Sequence, residues 1–344
     1  MKYKINITER VLHFKLPAGT SRGIYTTRKS WFLELTSPEM PGRCGVGECA
    51  PLPSLSCDDI PEYGKTLRAL CDKFEQEGVI DYAVMRPYPS MLFGLETALR
   101  HFEAGTAALF DTPFSRGEEG ITINGLVWMG SYDEMLSRME AKIEQGFHCI
   151  KLKIGAIDFD SELDLLRRIR ERFSHREMTI RLDANGAFRF DEALYKLELL
   201  SQYAVHSIEQ PIVARQWGNM AELCRESPLP IALDEELIGV NQPEMKAHIL
   251  NIIKPAYIVL KPSLHGGMRG TEEWIAAARA KDIGTWITSA LESNVGLNAI
   301  AQLTAHVYGR NIRVPQGLGT GQLFTDNIPM PLEVRGEKLW YAVE

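Results

Sequence analysis

Two lysines, Lys151 and Lys153, stand two residues apart inside the apolar run HCIKLKIG. Side chains at that spacing share one face of a strand. Two ammonium groups turned into a core are costly without compensating charge. Candidates for that charge lie further along, where short apolar runs end in Asp183 (TIRLDANG), Glu209 (HSIEQPI), Asp234 with Glu235 (PIALDEEL) and Lys261 (YIVLKPS). The successive steps from residue 183 to 209, 234 and 261 are 26, 25 and 27 residues. A single acidic residue at a strand end serves as the N-cap of the next helix. Three on consecutive strands repel one another unless a cation lies among them. A few carboxylates, completed by water and substrate oxygens, suit Mg2+, and Mn2+ accepts the same donors. Lys153 precedes the carboxylates and Lys261 follows them, so the cation should lie between opposed amines. A partly desolvated lysine beside a cation can act as a base. The expected chemistry is removal of a proton α to a substrate carboxylate, with a divalent ion stabilising the ene-diolate.

Such residues need a scaffold that brings successive strand ends to one mouth. From residue 121, eight apolar runs recur: ITINGLVW, HCIKLKIG, TIRLDANG, HSIEQPI, PIALDEEL, YIVLKPS, GTWITSAL and NIRVPQGLG. Most are separated by amphipathic segments such as SYDEMLSRMEAKIEQG and GTEEWIAAARAKDIG, which predicts parallel strands joined by crossover helices. Eight such units make an α/β fold of the (β/α)8 barrel type, with its active site at the C-terminal ends of the strands. Residues 1–110 read differently. Strand-like SWFLELT and RCGVGECAPL precede helical EYGKTLRALCDKFEQEG and SMLFGLETALRHFEAG, which predicts a small α+β domain. The barrel then occupies 111–324, and the tail from about 325 to 344, with EKLWYAVE at its end, has a return to the small domain as one option.

Composition narrows the class. A chain of 344 residues suits a barrel plus something smaller. With 45 acidic against 38 basic side chains and no basic block, a nucleic-acid partner is not expected. The opening MKYKINITERVLHFKL lacks the apolar centre of a signal peptide, and no apolar run is long enough to span a membrane. Six scattered cysteines without a CxxC suggest reduced thiols. The expectation is a cytoplasmic protein acting on a small carboxylate.

Taken together, IKLKIG, RLDANGAF, IEQP, ALDEEL, VLKPSLHGG and SALESNVGL resemble the enolase superfamily in its muconate-lactonizing subgroup. The resemblance covers nearly the whole chain and makes residues 1–110 a capping domain. It implies that Asp183, Glu209 and Asp234 ligate Mg2+, that Lys153 is the acid/base, and that Lys261 stabilises the ene-diolate as a cation. It implies an auxiliary role for Lys151, and supporting positions for Asn185 and Glu235. Within the subgroup the chain is most similar to carbon–oxygen lyases of menaquinone biosynthesis. The implied reaction is syn dehydration of 2-succinyl-6-hydroxy-2,4-cyclohexadiene-1-carboxylate to o-succinylbenzoate.

For substrate contacts, the strand-seven end SALESN offers Ser289, Glu292 and Asn294, and GLGTG offers the backbone of Gly317, Gly319 and Gly321. Backbone N–H groups of such a turn can bind a carboxylate. The stretch AGTSRGIYTT, with Ser21 and Arg22, is expected to cover the pocket, and CAPLP (Ala50, Pro51, Leu52) to wall it.

Two motif matches are set aside. GTSRG has the nucleophile-elbow pattern, but a strand-like stretch follows where a helix is needed. GVGECA fits the dinucleotide fingerprint, but Pro51 follows where the helix would begin. His206 and His265 are expected to be structural. Among rivals, an N-succinylamino acid racemase or a dipeptide epimerase would use the same two lysines, although LES replaces the Asp-x-Asp usual in dipeptide epimerases. A muconate cycloisomerase and a non-catalytic carboxylate-binding barrel complete the alternatives.

Overall fold

The computed structural model describes residues 1–20 and 23–343. Strands β1 (Lys4–Thr20), β2 (Gly23–Thr36) and β3 (Cys44–Cys49) form an antiparallel sheet in that order. Helices α1 (Tyr63–Glu77), α2 (Tyr82–Met85) and α3 (Pro89–Ala104) follow. Alternate inward residues of β2, Trp31, Leu33 and Leu35, meet Leu67, Phe74, Leu95 and Phe102 in one apolar core. Helix α3 lies directly on β3, because a Cβ on Gly47 would stand 1.9 Å from the Gly94 carbonyl. The glycines of GVGEC therefore serve close helix–sheet approach.

The barrel begins after β4 (Ile121–Thr122). Its strands are β5 (Gly125–Val127), β6 (Cys149–Lys153), β7 (Thr179–Asp183), β8 (Ser207–Glu209), β9 (Ile231–Leu233), β10 (Tyr257–Leu260) and β11 (Gly284–Ile287). They pair in sequence order, all parallel. Helices α4 (Tyr132–Glu144), α5 (Phe159–Arg172), α6 (Phe190–Ser201), α7 (Trp217–Glu226), α8 (Pro243–Ile253), α9 (Gly267–Arg279) and α10 (Asn294–Tyr308) alternate with them. Leu, Ile, Val and Met from the strands and the inner helix faces form its core.

The eighth strand expected at NIRVPQGLG is not formed. Among the described residues of that run, Gln316 and Gly317 alone bridge, to Ile123 and Thr288, and these two bridges close the ring. Pro315 has no N–H for a ladder and the glycines after it favour a turn. The tail divides. Phe324 bridges Phe14 on β1 and Thr325 N–H donates to the His13 carbonyl at 2.9 Å. Strands β12 (Leu332–Arg335) and β13 (Lys338–Tyr341) instead form a hairpin that pairs with β4. Between the two units, Leu12, Phe14, Leu52, Leu264, Leu291 and Phe324 make a third apolar cluster. Among the described residues, no helix is long and apolar enough to cross a membrane.

Candidate active site

The parallel ladder sets the site. Lys153 and Asp183 are Cα partners across β6 and β7, and Asp183 and Glu209 are partners across β7 and β8. Asp234 follows the last residue of β9 and Lys261 the last residue of β10. All five side chains are buried or nearly so, and the two lysines and Asp183 line one pocket with Lys151, Asn185 and Glu235. Its apolar lining includes Leu52, Leu55, Leu126, Trp128 and Leu291, and Ser289, Gly319 and Thr320 also line it.

Oxygens of Asp183, Glu209 and Asp234 lie within 4.8 Å of one another, close enough to share an ion. Burial, assisted by the Asp183 and Asp234 charges, pushes the Glu209 carboxyl up despite Lys151. Its Oε1 is buried with no hydrogen-bond partner among the described residues. Crowded carboxylates and an orphaned oxygen are what a cation would relieve, so the donor set fits a divalent metal.

The amines are held by the same acids. Lys151 Nζ contacts Glu209 Oε2 and lies 3.0 Å from Asp183 Oδ2. Burial works against its charge, but Asp183 and Glu209 outweigh it and push its pKa up. Lys153 Nζ lies 3.2 Å from Asp183 Oδ2 and donates to Asn185 Oδ1 at 2.7 Å. Asn185 Nδ2 passes the link on to Glu235 Oε1 at 2.9 Å. Lys261 Nζ donates to both Asp234 oxygens, at 2.7 and 2.5 Å. Burial lowers its pKa, yet Asp234 and Glu235 prevail and hold the ammonium above its ordinary value.

The sequence candidates separate at this point. Lys151, Lys153, Asp183, Asn185, Glu235, Lys261, Ser289, Gly317 and Gly319 line the pocket, and Glu209 and Asp234 join Asp183 in the carboxylate cluster. Glu292 and Asn294 do not line it. The Glu292 carboxylate accepts from Ser263 Oγ at 2.5 Å and Ala290 N–H at 2.6 Å, so it ties two loops together. Asn294 opens α10, with its N–H donating to Asn327 Oδ1 at 2.8 Å. Ser21 and Arg22 lie outside the described residues.

A model of the family described as enolase C-terminal domain-like matches residues 134–339. The o-succinylbenzoate synthase of Desulfotalea psychrophila is 45% identical over 94% of this chain and 95% of its own. The chain belongs to the o-succinylbenzoate synthase family of the enolase superfamily. The crystal structure of MenC from the same organism superposes with a TM-score of 0.83 at 40% identity, covering 99% of this chain and 100% of that one. The substrate-liganded L-Ala-D/L-Glu epimerase of Bacillus subtilis gives 0.82 at 20% identity over 99% and 96%, a likeness of fold.

Sequence reading missed several supports of this synthase-family site. Gln210, in the left-handed region at φ 40°, accepts the Asp234 and Glu236 N–H groups on Oε1, each at 3.2 Å. Its position directly after Glu209 in IEQP was the available signal. Thr320 and Ser289 share a hydroxyl hydrogen bond of 2.6 Å across the closure of the barrel. Trp128 places its ring 6.0 Å from Lys153 Nζ. Neither pairing has a sequence spacing that announces it. His265 accepts the Lys261 N–H on Nδ1 at 2.9 Å, a structural role.

Proposed function

We propose that this chain is a metal-dependent hydro-lyase that converts 2-succinyl-6-hydroxy-2,4-cyclohexadiene-1-carboxylate to o-succinylbenzoate in menaquinone biosynthesis. The observation that carries the reading is the placement of Lys153 and Lys261 in one pocket, on strands flanking the Asp183–Glu209–Asp234 cluster, in a chain so similar to a synthase. Asp183, Glu209 and Asp234 would hold Mg2+, or Mn2+ through the same oxygens. When bound, the cation supplies positive charge against the second negative charge of an ene-diolate.

Lys153 takes the α-proton and then delivers a proton to the departing hydroxyl. The C–H and C–O bonds break, a C=C bond forms, and water leaves. One residue serving both steps requires both bonds on one face, which gives syn elimination. Lys261, held charged by Asp234 and Glu235, stabilises the developing negative charge from the other side. Lys151 adds its ammonium to the charge balance, and Asn185 with Glu235 orients Lys153. Ser289, Gly319 and Thr320 receive the remote carboxylate, and Leu52 and Trp128 flank the ring. The six cysteines are unpaired, which supports a cytoplasmic location.

An absorbance assay of dehydration with Mg2+ tests the reading, beside Lys153→Ala and a chelator control. Turnover lost in both controls supports it. Absent turnover, with exchange of the α-proton of N-succinyl amino acids in D2O, would replace dehydration by racemisation.

A further inference from the structure

Two buried carboxylates cross from the capping domain to the barrel. Glu96 stands on α3, and its Oε2 and Oε1 accept the Met268 and Arg269 N–H groups at 2.5 and 3.1 Å. Helix α9 has Gly266 as its N-cap, with no side chain to satisfy the first turn. Its orphan amides are therefore capped by the other unit. Glu48 on β3 repeats the device at α10. Its Oε1 accepts the Ser293 N–H at 3.0 Å, and its Oε2 accepts the Ser293 hydroxyl at 2.5 Å and the Gly296 N–H at 2.9 Å. Glu96 is 5% exposed and Glu48 0%.

Both helices open just after strand ends that carry the site. Lys261 precedes α9, and its backbone N–H is held by His265, two residues before Gly267. Ser289 precedes α10, and Glu292 joins the two loops through Ser263 and Ala290. The sequence accommodates the contact at Gly267, where φ is +74° and a Cβ would stand 2.3 Å from Glu96 Oε2.

We propose that Glu96 and Glu48 are positioning residues for the reaction, through which the capping domain sets the placement of Lys261 and Ser289. The inference rests on the roles given above to those two residues. A helix held at its first turn by a buried carboxylate cannot slide without breaking those hydrogen bonds. A shift on the order of 1 Å at a reacting group costs about 10²-fold in rate.

The test compares Glu96→Gln and Glu48→Gln with the wild type in the full chain, with saturating Mg2+. An amide keeps the shape but can turn an NH2 toward N–H donors. For Glu96→Gln, kcat is expected to fall by about 10- to 100-fold with KM changed less than about twofold. For Glu48→Gln, KM is expected to rise, because the loop it holds carries Ser289. Amide exchange at Met268 and Arg269 should quicken in Glu96→Gln. Wild-type kcat and KM in folded variants that merely melt earlier would overturn the proposal. If Glu96→Gln does not fold, Gly267→Ala, which displaces the carboxylate without removing it, is read by the same criteria. Failure of both to fold assigns the contact to folding and overturns the proposal as well. Wild-type turnover separates the two readings, since an inactive wild type overturns the assignment of the reaction, not the clamp.

Discussion

Lys153 and Asp183 are paired residues of adjacent parallel strands, and the Lys153 ammonium lies 3.2 Å from Asp183 Oδ2. The proposed base and a proposed metal ligand are therefore held by one ladder of backbone hydrogen bonds. Neither can shift without the other, which is the preorganisation that charge stabilisation requires.

Lys153→Ala removes the proposed base while leaving the carboxylates in place. Turnover should drop by about 10²- to 10⁴-fold, the usual worth of a general acid–base group. The absorbance assay, with far-ultraviolet circular dichroism as the check on folding, reads the effect. Retention of a tenth or more of wild-type kcat would assign the proton transfer elsewhere.

Metal binding should be visible without catalysis. A ligand that binds only the folded state at 100 times its Kd stabilises by about 2.7 kcal/mol. Mg2+ is expected to raise the melting temperature of the wild type and to do so much less in Glu209→Gln, which loses a charged donor. Equal shifts in the two proteins would remove Glu209 from the ligand set.

Gln210→Ala strips the acceptor from two buried amides, those of Asp234 and Glu236. Leaving buried donors unsatisfied costs about 1–3 kcal/mol each, so roughly 2–4 kcal/mol of stability should be lost after partial relaxation. Urea denaturation measures it. A midpoint unchanged from wild type would show that the amides find other partners.

His206 gives a pH dependence of known sign. Burial, then the neighbouring Arg181 guanidinium, pushes it down to about 4, and it stacks on Tyr257 at 5.0 Å. An unfolded histidine titrates near 6.5. The folded state thus binds the proton less readily than the unfolded one, and protonation favours unfolding. Stability from this group is complete above about 6.5 and is lost as pH falls toward about 4. His206→Gln should flatten the melting temperature between those limits, and an unchanged slope would show that other groups govern it.

The periodic runs ending in Asp183, Glu209, Asp234 and Lys261 were readable as chemistry because parallel strands are nearly regular. One βα unit takes a nearly constant length of chain, so equal spacing in sequence becomes adjacency at the barrel mouth. The same regularity made KLK legible, since alternate residues of a strand face one way. The eighth apolar run departs from this regularity, because Pro315 and the glycines after it leave single bridges at Gln316 and Gly317 in place of a ladder.

Contacts made by loops and across the two units had no such rule. Glu292 sits in SALES as if aimed at substrate, yet its carboxylate is taken by Ser263 and Ala290. Glu96 and Glu48 meet their amide partners 172 and 245 residues away, and no local periodicity carries that information. Sequence alone determined which residue types face the barrel mouth, because strand pleat and βα length are local properties. Tertiary structure decided which of the other polar residues reach the pocket and which cap helices, because a buried carboxylate is committed to whatever donors the packed units bring within hydrogen-bond reach.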